Sequence, residues 1–188
     1  MDLLQNPFYI LGASPRDGKA RIIELFEQRS LGLDPKVCTQ ALADLTSPRK
    51  RLLVEVSWLP GVGPNRALEI IADLETSARD SLGMDRLSPL ARVNVLAAAL
   101  CRLTYCGPKE LCGSVLQLAR TFELVSPPEV CSLINEERVV SKFPMVDPAA
   151  VEEEIEKRRR HYGEVMTRTL RKLQKRELVQ AAELIVDS

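Results

Sequence analysis

The sequence predicts an all-α protein, and three observations support this prediction. Proline follows a residue suited to cap a helix at eight places, and proline is favoured at the first helical position because its missing amide donor needs no partner there. Apolar residues recur at spacings of three and four, as on one face of a helix. No segment alternates apolar and polar residues between turn signals, as a half-buried strand would. The predicted helix starts are Ser14-Pro15, Asp34-Pro35, Ser47-Pro48, Gly63-Pro64, Ser88-Pro89, Gly107-Pro108, Ser126-Pro127 and Asp147-Pro148.

The first part of the chain, residues 1–60, is predicted to form one helical domain. Its opening residues from Asn6-Pro7 form a short helix, and helices over about 16–31 and 35–45 follow as an antiparallel hairpin. Trp58 is predicted to be a core residue. The predicted facing residues of the hairpin are Ile22, Phe26 and the stem of Arg29 on one side, and Val37, Ala41, Leu42 and Leu45 on the other.

A glycine- and proline-rich linker leads into a second predicted helical domain, residues 64–188. The helix over 89–105 is rich in alanine, which permits close helix approach, so it is predicted to lie at the centre of this domain. From Pro148 onward only the isolated Gly163 interrupts the helical pattern, which predicts one long amphipathic helix over about 148–186.

The long helix combines a charged face with an apolar stripe. Acidic residues at 152–156 precede a basic run at 157–160, which places negative charge near the positive end of the helix dipole. These charges are typical of a solvated face. The apolar stripe is wide enough to pack on other helices of the chain or on a second chain, and comprises Val151, Ile155, Tyr162, Met166, Leu170, Leu173, Leu178, Ala181 and Ile185.

The composition indicates a folded chain without an overall charge preference. Of 188 residues, 45% are hydrophobic, 4% are aromatic and 12 are proline. A chain of this size can bury roughly 70% of its unfolded surface, which argues against intrinsic disorder. The 26 basic and 26 acidic side chains give a formal net charge of zero. Nucleic-acid or membrane binding would therefore depend on local patches, because the whole molecule offers no net positive charge.

Neither a secretion signal nor a membrane span is predicted. The opening apolar run is short and lacks a basic lead. No segment reaches the roughly 18 uninterrupted apolar residues of a membrane helix. We therefore expect a cytoplasmic protein that does not bind membranes.

Residues 6–61 contain a recognisable order of segments. Asn-Pro-Phe-Tyr-Ile-Leu-Gly at 6–12 is followed by a charged helix, a loop, Ala-Leu-Ala-Asp-Leu-Thr-Ser at 41–47 and a basic cluster at 49–51. This order resembles the J-domain of DnaJ-type co-chaperones. The resemblance covers about a third of the chain. It implies a compact helical module that docks on another protein, in that family a DnaK-type chaperone ATPase.

The hairpin loop departs from the J-domain pattern at the position that the family uses to engage the chaperone ATPase. The family carries His-Pro-Asp there, whereas this chain has Leu33-Asp34-Pro35 and no histidine in its first 160 residues. Asp34 and Pro35 are predicted to be the N-cap and first residue of the next helix. The preceding helix mixes acidic and basic residues instead of presenting a basic face. The resemblance therefore implies a degenerate docking module that does not stimulate ATP hydrolysis.

The sequence predicts no catalytic, metal or cofactor site. The only histidine, His161, follows a run of arginines and is predicted to lie on the surface. The five cysteines contain no Cys-x-x-Cys pair and are predicted to be buried thiols, with a redox pair of Cys106 and Cys112 as the alternative. The glycine-rich segment 61–65 follows a predicted helix and not a strand, so it is interpreted as a linker and not a phosphate loop.

These observations favour a non-enzymatic adaptor or scaffold that binds another protein of unspecified identity, in a larger assembly or as a homo-oligomer through the long helix. The alternatives are an active co-chaperone, a nucleic-acid-binding accessory protein and an enzyme whose polar groups converge only in the fold. The basic stripe of the long helix is interleaved with Glu164 and Glu177 and has only Tyr162 for base stacking, so nucleic-acid binding is the weaker hypothesis. The predicted partner-binding residues are Leu33, Asp34, Pro35, Lys36, Arg49, Lys50, Arg51, Arg158, Arg159 and Arg160.

Overall fold

The computed structural model describes residues 2–78, 86–103 and 107–172. These ranges contain nine α-helices and one 3-10 turn (Leu3–Gln5), and no β-strand. The prediction of an all-α protein is therefore confirmed. The helices are α1 (Pro7–Leu11), α2 (Lys19–Arg29), α3 (Pro35–Thr46), α4 (Pro48–Val56), α5 (Pro64–Thr76), α6 (Pro89–Arg102), α7 (Pro108–Glu123), α8 (Pro127–Ser141) and α9 (Pro148–Leu170).

Proline begins eight of the nine described helices. Seven of these are the predicted starts from Pro35 to Pro148. The eighth is Pro7, where the side chain of the preceding Asn6 accepts a hydrogen bond from the Phe8 amide. Most prolines thus lie where a helix would leave an amide donor unpaired, which explains how a proline-rich chain remains helical.

The predicted helix start at Ser14-Pro15 is wrong, because α2 begins at Lys19 after Gly18. The Ser14 amide donates to the Asp17 carboxylate over 2.7 Å, and the Asp17 amide donates to the Ser14 carbonyl over 3.0 Å. These reciprocal bonds close a turn over residues 14–17, and α2 begins only after this turn.

Helices α1, α2 and α3 pack on one another and bury a shared apolar stripe. Ile22 of α2 and Ala41 and Leu45 of α3 are buried, as the periodicity predicts. The prediction that Val37 faces this core is wrong, since 43% of it is exposed and the adjacent Cys38 is fully buried. A step of one residue rotates a helical side chain by about 100°, so the three- and four-residue spacing of residues 38, 41 and 45 defines the buried face.

The predicted boundary between the two parts of the chain is a turn between α4 and α5, in which Gly61 has a φ of 78°. Glycine adopts this left-handed conformation without the strain that a side chain would add. One hydrophobic cluster nevertheless includes residues from both sides of the turn, among them Phe8, Trp58, Ala91 and Phe143. Trp58 is buried against the Phe8 ring, with 5.8 Å between ring centroids, which confirms that it is a core residue.

The central helix of the second part is α6. Ten of its 14 residues are buried, and it contacts α5, α7 and α9. Alanines at positions 91 and 97–99 supply the small side chains that let these neighbours approach. Their burial agrees with the central position predicted for this helix.

The long helix of the sequence prediction corresponds to α9, which Asp147 caps by accepting a hydrogen bond from the Ala150 amide over 2.8 Å. Val151, Ile155 and Tyr162 of its apolar stripe are buried, and α9 packs on α4, α6, α7 and α8. The helix ends at Leu170, and the predicted continuation from 173 to 186 lies outside the described residues. None of the described helices is long and apolar enough to cross a membrane.

Candidate functional site

The first group of predicted binding residues, Leu33 to Lys36, lies in the loop between α2 and α3 and at the start of α3. Asp34 caps α3 by accepting a hydrogen bond from the Lys36 amide over 2.8 Å, and Pro35 is the first residue of that helix. This confirms the predicted structural roles of Asp34 and Pro35. The loop also exposes two leucines, since the exposed fraction is 90% for Leu31 and 44% for Leu33.

A surface groove of about 340 Å³ lies beside this loop and is mainly apolar. It is lined by Tyr9, Ile10, Arg29, Leu33, Asp34 and Val37, which come from α1, the end of α2, the loop and the start of α3. We call these six residues the hairpin groove. An exposed apolar concavity with one cationic and one anionic side chain at its wall is suited to an apolar side chain of a partner.

The sequence prediction identified Leu33 and Asp34 but missed the other four residues of the hairpin groove. Tyr9 and Ile10 belong to α1, far from the loop in sequence, and the periodicity assigned Val37 to the core. The sequence offered one signal for this groove. Positions 31, 33 and 37, around the turn, are all apolar, although a short loop and one buried helix face do not require three apolar residues there.

The basic cluster at the start of α4 separates into exposed and buried members. Arg49 and Lys50 are exposed, and Lys50 Nζ lies 3.6 Å from a carboxylate oxygen of Asp44. Arg51 has no exposed surface, so its assignment to a partner-binding surface is wrong. The α4 start thus offers two cationic side chains to solvent, and the third is part of the interior.

Arg51 is buried because it belongs to a charged triad with Glu55 and Arg138, all at most 2% exposed. Glu55 accepts from Arg51 Nε through Oε1 and from Arg138 Nε through Oε2, each over 2.8 Å. The guanidinium of Arg51 also lies 3.9 Å from the centroid of the Phe143 ring. Burial lowers the pKa of Arg51, and the neighbouring Glu55 opposes that shift.

Backbone carbonyls complete the hydrogen bonding of the triad. Arg51 donates to the Pro15 carbonyl over 2.6 Å, and Arg138 donates to the carbonyls of Pro144 and Pro48 over 2.8 and 3.1 Å. The triad therefore ties α4 and α8 to the loop before α2. Groups so fully satisfied within the interior stabilise the fold and do not face a ligand.

The arginine run of α9 is divided in the same way. Arg158 is buried and donates to Asn94 Oδ1 over 2.6 Å, so its assignment to a binding surface is also wrong. Arg159 is exposed and pairs with Glu156 over 2.9 Å, and Arg160 is exposed. Position 158 lies on the face of α9 that carries Ile155 and Tyr162, which is why the chain buries it.

Asn94 joins Arg158 to the rest of the core. Its Oδ1 also accepts from the Tyr162 hydroxyl over 2.7 Å, while its Nδ2 donates to the carbonyls of Val56 and Trp58 over 2.9 and 2.7 Å. One buried amide thus connects α6 with α9 and with the end of α4. We call Asn94, Arg158 and Tyr162 the amide network.

Glu137 of α8 is 5% exposed and lies close to the charged triad. Burial raises the pKa of its carboxyl from 4.5 to about 7, and the negative charge of Glu55 adds to the shift, while Arg16 and Arg51 oppose it. The folded protein therefore binds this proton more tightly than the unfolded chain does. Its contribution to stability is complete below pH 4.5 and is lost as the pH rises towards 7.

We expect Glu137→Gln to remove this pH dependence. Because a shift of one pKa unit corresponds to about 1.4 kcal/mol, the variant should be more stable than the original protein by up to about 3 kcal/mol at pH 8 and nearly equal to it at pH 4. Urea unfolding followed by tryptophan fluorescence across this pH range measures the difference. The control is Glu136→Gln, an adjacent exposed glutamate, and an equal effect of both substitutions would contradict the prediction.

The candidate reactive groups in the described ranges are partly or fully buried. His161 is partly buried and not a surface residue as predicted, and its pKa is lowered to about 4 by burial and by the positive charge of Arg158. Cys38, Cys112 and Cys131 are buried, as predicted, whereas Cys101 is only partly buried. Burial raises the thiol pKa of Cys101, Cys112 and Cys131. Cys106 of the alternative redox pair lies outside the described residues.

The described ranges contain no cluster of three or more histidine, cysteine, aspartate or glutamate side chains placed to hold a metal ion. The hairpin groove and the exposed cations of α4 and α9 are therefore the surface features on which a functional interpretation rests. Comparison of the chain with protein-family models, with curated proteins and with solved structures found no match.

Proposed function

We propose that this protein is a non-enzymatic adaptor that binds another protein through the hairpin groove. The observation that carries the proposal is the exposure of Leu33 and Val37, two apolar side chains that line one concavity. Exposed apolar groups clustered in this way cost solvation free energy that a partner's side chain would remove on binding. The proposed module is the J-like one, and its activity is docking.

The groove chemistry specifies the kind of partner segment. Apolar contacts are available from Tyr9, Ile10 and Val37. Two oppositely charged residues, Arg29 and Asp34, also line the groove. A segment with one large apolar side chain between an acidic and a basic residue would satisfy all three features. Asp34 already accepts from the Lys36 amide, and its second carboxylate oxygen has no hydrogen bond within the described residues.

The role of Asp34 as a helix cap supports docking over ATPase stimulation. At the position of the family's His-Pro-Asp loop, this chain uses Asp34 and Pro35 to begin α3 and places Leu33 before them. The alternative of an active co-chaperone predicts that the chain accelerates ATP hydrolysis by a DnaK-type chaperone. We expect the hydrolysis rate to stay at its basal value, and a stimulation that Leu33→Ser abolishes would favour the alternative.

The docking proposal is tested with the double variant Leu33→Ser/Val37→Ser. The full-length tagged chain and this variant are used to isolate bound proteins, and each protein retained by the original chain is then purified and titrated back by calorimetry. Truncating two contact residues of a small apolar site should weaken the affinity at least about tenfold. The matched control is Leu124→Ser, which removes a leucine of 68% exposure at the end of α7.

Comparing the double variant with the control distinguishes specific binding in the hairpin groove from non-specific binding to exposed leucines. Loss of a partner by Leu33→Ser/Val37→Ser with retention by Leu124→Ser supports the proposal. Equal affinity of all three chains for every purified partner would overturn it. Circular dichroism of the variants checks that both remain helical, which is expected because the substituted side chains lie at the surface.

A further inference from the structure

The solvent-facing side of α9 carries a row of charged residues. They recur at spacings of three and four, which keeps them on one face, and all are exposed. The acidic members lie mainly in the first half of the helix and the basic members in the second. We call this row the α9 stripe: Glu153, Glu156, Arg160, Glu164, Arg168 and Arg171.

Most of the stripe makes no ion pair with other elements within the part of the chain that the structure describes. Glu153 and Glu156 form exposed ion pairs with Lys157 and Arg159 of the same helix, each at 2.9 Å. Exposed pairs of this kind contribute little and exchange readily. The other four stripe residues, from Arg160 to Arg171, make no ion pair with another residue in the described ranges.

A shallow groove of about 520 Å³ lies in the middle of the stripe. Gly163 and Thr167 line it together with four members of the stripe, Arg160, Glu164, Arg168 and Arg171. A Cβ atom built on Gly163 would meet no heavy atom within 4 Å, so the helix backbone is open to close approach there. This shape suits side chains of a second helix that crosses at the level of Gly163.

We propose that two copies of this protein associate through the α9 stripe, with the two α9 helices antiparallel. When the two-fold axis passes at the level of position 162, Arg160 lies opposite Glu164 of the second copy, and the symmetry repeats this pair. The same register sets Glu156 opposite Arg168 and Glu153 opposite Arg171. Every facing pair therefore joins opposite charges.

The charge order also selects the orientation. A parallel pairing in register would place each residue opposite its own copy, so like charges would meet along the whole stripe. Because exposed charges dominate the interface, its affinity should fall as salt shortens the range of electrostatic attraction. The inference does not depend on the hairpin groove, whose residues lie outside α9.

The test uses charge reversal at the central pair, Arg160→Glu and Glu164→Arg. Each variant alone sets like charges opposite each other twice in the homodimer, so each should weaken dimerisation at least about tenfold in sedimentation velocity at low salt. In an equimolar mixture the two variants face each other with opposite charges at both positions. The mixture should therefore recover the affinity of the original chain to within about threefold.

The matched controls are Arg66→Glu and Glu69→Arg, which make the same charge changes at an exposed ion pair on α5 and should leave dimerisation unchanged. Recovery in the mixture, with loss of dimer in about 0.5 M salt, supports the proposal. A mixture that stays monomeric would overturn it. It would also be overturned if the original chain is monomeric at low salt while Arg160→Glu abolishes binding to generic single-stranded RNA, which would assign the stripe to a polyanion.

Discussion

Replacing Glu55 with glutamine should lower the free energy of unfolding by about 3 to 5 kcal/mol, the range typical of breaking a buried ion pair on one side. The substitution keeps the shape of the side chain but removes the negative charge that lies between two buried guanidinium groups. Arg51 and Arg138 would then keep their bonds to backbone carbonyls while losing their shared counter-charge. Urea unfolding at pH 7, followed by tryptophan fluorescence, measures the loss.

The control for this prediction is Glu69→Gln on α5. Glu69 pairs with Arg66 over 2.7 Å, but both side chains are exposed. The same chemical change there should alter the stability by no more than about 0.5 kcal/mol, because solvent screens exposed pairs. If Glu55→Gln costs no more than Glu69→Gln, the triad is not the electrostatic link between α4 and α8 that the distances indicate.

Replacing Asn94 with alanine should cost at least about 4 kcal/mol, because the substitution removes four hydrogen bonds from a buried site and each buried polar group left unpaired costs about 1 to 3 kcal/mol. The carbonyls of Val56 and Trp58 lose a donor, and the Tyr162 hydroxyl and Arg158 lose an acceptor. Asn94→Asp should also be destabilising, since an oxygen that cannot donate would replace Nδ2 and face the carbonyl oxygens of Val56 and Trp58.

The measurement for Asn94 is again urea unfolding, read by the single tryptophan, whose carbonyl is one of the partners of the amide. Asn65→Ala on α5 is the matched control, because Asn65 is exposed and the substitution should change stability by no more than about 0.5 kcal/mol. A cost below about 1 kcal/mol for Asn94→Ala would show that other groups or water replace its four bonds.

Helix starts were the most predictable feature of this fold. Seven of the eight predicted proline starts begin a described helix, and the physical reason is local, because only the missing amide and the fixed φ of proline are involved. Ser14-Pro15 failed for an equally local reason that the proline rule ignores. The chain forms a turn over residues 14–17 in place of a first helical turn, and the helix begins at Lys19.

The candidate site was predicted only in part. Leu33 and Asp34 were identified from the loop that the resemblance singled out, whereas Tyr9 and Ile10 reach the groove from another helix. Arg51 and Arg158 belong to basic runs that look uniformly solvated in sequence. Arg51 and Arg158 are buried while Lys50 and Arg160 are exposed, and this difference depends on which face of each helix packs on the core.

The sequence by itself determined the helical class, the seven helix starts from Pro35 to Pro148 and the amphipathic character of α9, because these depend on interactions within a few residues. Only the tertiary structure decided which charges are interior and which are available. Glu55 meets Arg138 across 83 residues, and Arg158 meets Asn94 across 64. A buried charge is tolerated only where distant groups supply its partners, so its location follows from packing and not from local pattern.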